Sequence, residues 1–151
     1  MRRVATTTAT LVGGMVVALV AGVPTSAATS SVPVRFTKIV YNSPGPDNGS
    51  NASLNAEWVR VTNQGAKARA LTGWTIRDAA GHVYRFGTFT LGAGASVRLH
   101  TGHGTNTRTD RYWNHNWYIW NNTGDRAVLR NGAGVRIDVC SWGDGPGSTT
   151  C

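Results

Sequence analysis

The chain has 151 residues, a length that suits one domain with a single hydrophobic core and excludes a second domain behind the leader described below. Lys and Arg number 15 against 7 Asp and Glu, which gives a formal net charge of +8 at pH 7. A basic balance favours contact with polyanions such as nucleic acid, teichoic acid or acidic polysaccharide, and the alternative is that the charge serves only solubility.

Residues 1–28 predict a secretory signal peptide that is cleaved. Two arginines precede an apolar, small-residue stretch that ends at Val23, and the small residues Ala27 and Ala28 suit a signal peptidase. The alternative, a transmembrane anchor, needs about 20 strongly apolar residues, whereas this stretch is short and interrupted by glycine. We therefore expect an exported protein whose mature domain, residues 29–151, has no membrane span and carries 13 basic and 7 acidic residues.

Short alternating runs predict the strands of the mature domain. No stretch after residue 28 has an apolar period of 3.6, so no helix is predicted, and turn residues separate the runs. Eight strands in this length match an all-β, antiparallel β-sandwich of seven to nine strands. The predicted strands are Val34–Tyr41, Ala56–Asn63, Trp74–Arg77, His82–Phe89, Ser96–Thr101, Trp117–Trp120, Asp125–Arg130 and Val135–Trp142.

Alternation also assigns side chains to the two faces of each strand. In the last strand, one face is predicted to carry Val135, Ile137 and Val139, and the other Arg136 and Asp138. The same reasoning places most arginines on faces that point to solvent.

Two long polar segments, residues 42–55 and 102–116, are predicted as loops. Loops on a rigid sandwich commonly carry binding residues, so Tyr112, Trp113 and His115 are candidate contacts, unless the loops are packed by their own side chains. The aromatic rings concentrated from Tyr112 to Trp120 could stack on sugars or unpaired bases, although alternation places at least half of them in the core.

Patterns for metal binding and catalysis are weak. His100, His103, Asp110 and His115 are candidate zinc ligands, but their spacing is unspecific. The 42–55 loop lacks the Gly and Glu of an EF-hand, so the only calcium hypothesis that it supports is weak binding of a single ion. We predict no metal and no cofactor. Without G-x-S-x-G, H-E-x-x-H or paired carboxylates, the chain is predicted not to be an enzyme, and a hydrolase would need His103, Asp110 and His115 within hydrogen-bonding reach.

The two cysteines, Cys140 and Cys151, are expected to form a disulfide, because an even pair in an exported chain favours one. The bridge would tie the C-terminal end to the last strand and keep it from fraying. The alternative, a redox-active pair, lacks the C-x-x-C spacing.

A motif in the first half of the mature domain carries a family resemblance. The run E-W-V-R-V-T-N that begins at Glu57, followed by L-T-G-W-T-I-R-D up to Asp78, resembles the lamin-tail domain family. The resemblance implies an immunoglobulin-like β-sandwich that binds or anchors rather than catalyses, and it is most similar in style to small secreted single-domain members of actinomycete-like bacteria. Scaffold positions implied by it are Glu57, Val59, Asn63, Gly73 and Trp74.

We therefore expect a secreted, monomeric, non-catalytic interaction module that adheres to an extracellular or cell-envelope polymer, with nucleic acid among the candidates. The residues expected to attract a polyanion are Arg60, Arg77, Arg98 and Arg136, and their dispersal over all faces would count against this hypothesis. The alternative is a structural or protein-partner module that uses a free sheet edge.

Overall fold

The computed structural model describes residues 32–151, so the predicted signal peptide and the start of the predicted domain lie outside the described residues. The described part contains eleven strands and one short helix. In chain order these are β1 (Val34–Val40), α1 (Asn51–Ala56), β2 (Trp58–Asn63), β3 (Arg69–Ala70), β4 (Thr75–Arg77), β5 (Val83–Arg85), β6 (Thr90–Leu91), β7 (Ser96–His100), β8 (Asp110–Tyr112), β9 (Gly124–Arg130), β10 (Arg136–Gly143) and β11 (Ser148–Thr150).

Nine of these strands form two sheets. The first has five strands in the order β11-β1-β2-β7-β8, the second has four in the order β10-β9-β4-β5, and β3 and β6 form a separate pair. Every pairing is antiparallel except that of β7 with β8, which is parallel. The predicted immunoglobulin-like β-sandwich is confirmed, with this one parallel pair as a departure.

The core lies between the two sheets, where alternate residues of each strand point inward. Val59 and Val61 of the first sheet and Ile76 and Leu129 of the second are at most 1% exposed and belong to one apolar cluster. Burying side chains of this size stabilises a fold by about 1.5–3 kcal/mol each. The inward alternation leaves the opposite side of each sheet free to carry polar residues.

The segment from Trp117 to Trp120, predicted as a strand, is irregular. Ile119 and Trp120 are buried, but Trp117 is 59% exposed, so Trp117 and Ile119 do not share a face. The backbone N–H groups of Ile119 and Trp120 bond to the carboxylate of Glu57 rather than to a neighbouring strand. The strands β3, β6, β8 and β11 were not predicted, because two or three residues carry too little alternation to be recognised.

The prediction of no helix was wrong at α1. Ser50 caps its N-terminus by accepting a hydrogen bond from the Ser53 backbone N–H at 3.3 Å. Leu54 is the only buried residue of this helix, so no apolar period exists to reveal it. At six residues, this single helix of the described range 32–151 has neither the length nor the hydropathy to cross a membrane.

The predicted faces of the last strand are also wrong. A bulge in β10 lies between Arg136 and Asp138, so the alternation changes there. Val139 is therefore 40% exposed, whereas Cys140 is buried, and Asp138 turns inward to accept a hydrogen bond from the Phe36 backbone N–H at 2.8 Å. A bulge cannot be read from apolar spacing alone.

The predicted disulfide is confirmed. Cys140 and Cys151 are bonded with their Cα atoms 5.7 Å apart. The bridge joins β10 to Cys151, the residue that follows β11. Strand β11 pairs with β1 at the edge of the other sheet. Closing a loop of this length stabilises a fold by about 3 kcal/mol in the chain-entropy account.

Candidate anion-binding face

The four arginines predicted to attract a polyanion lie on two different sheets. Arg60 and Arg98 are register partners on β2 and β7, in the five-stranded sheet. Arg77 and Arg136 lie on β4 and β10, in the four-stranded sheet. Because the sheets pack through their inner faces, the two pairs point away from each other and cannot share one flat ligand.

On the five-stranded sheet, Arg60 and Arg98 are engaged by the protein itself. Arg98 Nη2 lies 3.0 Å from Asp110 Oδ1, and its guanidinium lies 5.9 Å from the Trp58 ring centre. Burial opposes ionisation of Asp110, but hydrogen bonds from Thr109 and His100 and the charge of Arg98 hold its pKa below the ordinary value. Arg60 Nε donates to Thr37 Oγ1 at 2.9 Å.

On the four-stranded sheet five arginines point outward together. They occupy alternate positions on all four strands, and none of the outward-facing residues of these strands is acidic. We call this surface the basic face. It consists of Arg77, Arg85, Arg126, Arg130 and Arg136.

Strand register sets the spacing of the basic face. Thr75 pairs with Arg130 on one side and with Arg85 on the other, and Arg130 pairs with Arg136. Neighbouring strands are about 4.8 Å apart, so this row of residues spans roughly 14 Å at the backbone. Shallow recesses of about 260 and 200 Å³ lie among the arginines.

Most of these guanidinium groups have no partner in the protein. Arg85 Nη1 and Arg130 Nη1 each donate to a backbone carbonyl at 2.8 Å. Within residues 32–151, the side chains of Arg77, Arg126 and Arg136 make no hydrogen bond and no ion pair. Their donors therefore remain available to a ligand.

The neighbouring carboxylates are turned inward. Asp78 is 2% exposed and accepts hydrogen bonds from the backbone N–H groups of Gly81 and His82, both at 2.7 Å. Asp125 is 7% exposed and accepts from the Ala79 N–H at 3.0 Å. These bonds stabilise turns, so the acidic residues next to the arginines in sequence do not neutralise them on the surface.

The sequence model of the lamin tail domain family matches residues 27–144. This range includes all five arginines of the basic face and every strand of the two sheets except β11. The chain belongs to the lamin tail domain family. No curated protein matches the chain. Cys151 lies beyond the matched residues, so the disulfide joins the matched part of this lamin tail domain to its C-terminal end.

Two scaffold residues of this lamin tail domain join distant segments through buried side chains. Glu57 Oε1 accepts hydrogen bonds from the Thr101 hydroxyl and from the backbone N–H groups of Ile119 and Trp120. Burial raises the pKa of Glu57 to about 7, although these hydrogen bonds act in the opposite direction. Asn63 Nδ2 donates to three backbone carbonyls. They belong to Lys67, to Leu91 at the end of β6, and to Gly92 in the turn that follows.

The other scaffold positions are apolar or conformational. Val59 is 0% and Trp74 8% exposed, which places both in the core. Gly73 has a φ of +78°, a conformation that side-chain-bearing residues rarely adopt, and its N–H bonds to the Phe86 carbonyl at 2.8 Å.

The predicted loop contacts are packed by the protein's own side chains. Tyr112 stacks on His100 with ring centres 5.1 Å apart, and the backbone at Gly104 lies against its ring. Trp113 packs edge-on against Trp120 at 5.8 Å. His115 packs against His82 at 5.2 Å and lies in hydrogen-bonding contact with the Trp117 carbonyl at 3.2 Å.

The groups that a hydrolase would need are each bonded elsewhere. Asp110 contacts His100 at 2.9 Å, His103 contacts Asn116 at 2.8 Å, and His115 contacts a backbone carbonyl. Across residues 32–151, no three His, Cys, Asp or Glu side chains gather in a way that could hold a metal ion. In the 42–55 segment, Asn48 and Ser50 accept hydrogen bonds from nearby backbone N–H groups around the start of α1.

Sequence reasoning missed three members of the basic face. Arg126 and Arg130 have the same parity in β9, and the burial pattern of that strand alternates without a break. This parity could have placed both outward. Arg85 lies at the end of β5, and only the pairing of β5 with β4 brings it beside Thr75.

Proposed function

We propose that this lamin tail domain is a secreted, non-catalytic binding module whose basic face holds an extracellular or cell-envelope polyanion. The observation that carries the proposal is the set of five outward arginines on four adjacent strands with no acidic residue among them. Membership of a family of immunoglobulin-like interaction domains supports a binding role rather than a catalytic one.

The chemistry of arginine favours phosphate, sulfate or carboxylate groups as ligands. A guanidinium group stays charged at all physiological pH values and presents paired N–H donors that match two oxygens of one anion. A regular polymer can place successive anionic groups along the row of arginines, and each neutralised group releases a counterion. Affinity would then come from the sum of several weak contacts.

Two features support export. The N-terminal pattern of residues 1–28 is typical of a signal peptide, and the match to the family begins at residue 27. The disulfide between Cys140 and Cys151 is of a kind that persists in oxidising compartments.

Fluorescence anisotropy of the oxidised domain with labelled duplex DNA and with labelled heparin, at low and near-physiological salt, tests this function. The double variant R77E/R126E changes the basic face, and R35E/K67E makes the same charge change at exposed positions elsewhere. We expect R77E/R126E to weaken binding at least tenfold and to reduce the slope of log affinity against log salt for DNA by about 1.8, which is two phosphate contacts.

The control variant should lose only the smaller effect of net charge. Equal losses in R77E/R126E and R35E/K67E would contradict a localised site. Absence of binding to both polymers at low salt would contradict the function.

A protein partner is the second candidate, supported by exposed apolar side chains on the edge strands of the same sheet. Val83 on β5 is 48% and Val139 on β10 is 40% exposed. A partner strand could pair with such an edge. V83D/V139D would abolish this mode, whereas it would weaken polyanion binding only through charge.

A further inference from the structure

Trp117 is an exposed aromatic residue that does not belong to the basic face. Its side chain is 59% exposed, and Trp117 is the one aromatic residue among the exposed large hydrophobic side chains of residues 32–151. An exposed indole presents a flat apolar surface on which a ligand can stack. Trp117 therefore differs from the other tryptophans of the described chain, which are buried or partly buried.

The ring of Trp117 is held in place from one side. A Cβ atom added at Gly49 would lie 2.7 Å from Cζ3 of the indole, so the ring rests directly on the backbone there. Gly49 has a φ of +67°, which also disfavours a side chain at this position. Tyr118 packs edge-on against Trp117 at 5.5 Å, and its hydroxyl lies 2.6 Å from Ser53 Oγ.

Polar groups surround a recess beside this ring. The recess has a volume of about 310 Å³, and its polar lining consists of Asp47, Asn121, Asn122 and Thr123. Asn122 Nδ2 donates to Asp47 Oδ2 at 3.3 Å, and Asn121 is fixed by two hydrogen bonds to Asp125. Among residues 32–151, no Lys or Arg lines the recess.

We propose that this recess is a binding subsite for one neutral pyranose unit of a polysaccharide. The apolar C–H face of the sugar would stack on the exposed indole of Trp117. The Asp47 carboxylate and the Asn122 amide would exchange hydrogen bonds with adjacent hydroxyl groups, since together they offer both acceptors and donors. A concave site with a few polar groups beside an aromatic surface has the general form of a small-ligand pocket.

The charge of the recess selects against the polyanions proposed for the basic face. A phosphate or uronate group would meet the Asp47 carboxylate with no cation in the lining to compensate. A nucleobase could stack on the ring, but its phosphates would be repelled. The two surfaces therefore differ in ligand class, and the subsite does not depend on the basic face.

The test is titration of the ¹⁵N-labelled mature domain with cellohexaose, chitohexaose and maltohexaose, followed through the tryptophan indole N–H resonances. The variant W117F assigns the Trp117 resonance, because the other five tryptophans remain. We expect the Trp117 signal to shift and saturate with at least one of the three oligosaccharides. W117A should raise the Kd at least tenfold, W117F severalfold, and D47A at least threefold.

Matched controls separate the subsite from the rest of the domain. V83A removes an exposed apolar side chain on β5, and R126E changes the basic face, and both should leave the oligosaccharide Kd unchanged. G49A should weaken binding although it retains every lining side chain, because the new methyl group displaces the ring. Thermal unfolding of each variant shows whether the fold persists.

Two results would overturn the subsite. The first is absence of a saturating shift with all three oligosaccharides. The second is an unchanged Kd in W117A.

Discussion

The outward faces of the two sheets carry similar residues in different electrostatic settings. On the five-stranded sheet, β8 brings Asp110 into register with Arg98. Arg60 donates to the Thr37 hydroxyl, which belongs to a row of hydroxyl groups that bond to one another. On the four-stranded sheet, the acidic residues Asp78, which follows β4, and Asp125, within β9, are buried and accept backbone hydrogen bonds. The two faces therefore differ in that a carboxylate pairs with Arg98 on one of them, whereas no outward carboxylate neutralises the arginines of the other.

The largest effect on stability is expected from the ionisation of the buried carboxylate of Glu57. The pKa of Glu57 is raised to about 7 from 4.5, so its ionised form is less stable in the folded chain than in the unfolded one. Stability from this group is present below pH 4.5 and falls as the pH rises through about 7, by roughly 3 kcal/mol in total. E57Q cannot ionise and should lack this loss.

Urea unfolding of the wild type and E57Q between pH 4.5 and pH 8 measures the difference. The wild type should lose stability relative to E57Q across this range. Parallel curves would show that Glu57 ionises in the folded domain as easily as in the unfolded chain.

Next in size is an acidic residue placed on the basic face, which would copy the arrangement of Asp110. In T75D the new carboxylate lies between the register partners Arg85 and Arg130. We expect polyanion affinity to fall about tenfold at low salt, because two arginines are neutralised and the ligand is repelled. T150D, an exposed change of the same charge on β11, is the matched control for the anisotropy titration.

The smallest effect is expected when Asp110, the acidic residue on the outward face of the five-stranded sheet, is neutralised. The pKa of Asp110 is lowered from 3.8, so its contribution to stability is present above pH 3.8 and is lost as the pH falls through its folded pKa. D110N should cost about 1 kcal/mol at pH 7. Because it removes one negative charge from the domain, D110N should also raise polyanion affinity, by at most about twofold.

Chemical denaturation and anisotropy measure the two consequences of D110N separately. Unchanged stability at pH 7 would mean that the ion pair and its hydrogen bonds contribute nothing. A fall in polyanion affinity would contradict the expected effect of the net charge.

Much of the fold could be predicted from local pattern. The alternation from Glu57 to Asn63 places Val59 and Val61 in the core, and β4 and β5 pair as antiparallel strands within the predicted runs Trp74–Arg77 and His82–Phe89. Local pattern failed where a structure depends on distant groups. Examples are the irregular 117–120 segment bound to Glu57, and the bulge at Asp138, whose carboxylate bonds to Phe36.

The candidate site was harder to predict than the fold for the same reason. Arg77 and Arg136 were recognised as outward residues, but their neighbours depend on the register of β9 with both β4 and β10. Nothing in the sequence shows that Arg98 pairs with Asp110, because that contact requires the parallel pairing of β7 and β8. The alternation along a strand predicts which way a side chain points. Which side chains lie beside it on the surface depends on the order and register of the strands.

The disulfide at the end of the chain also determines how the domain would respond to mechanical force. β11 has only three residues, and three register pairs hold it to β1, so a load on a strand of this kind would peel it away one hydrogen bond at a time. Tension that enters at Cys151 passes instead through a covalent bond to Cys140 within β10. Pulling force applied at Cys151 would thus reach the eight-residue strand β10 before β11 could detach.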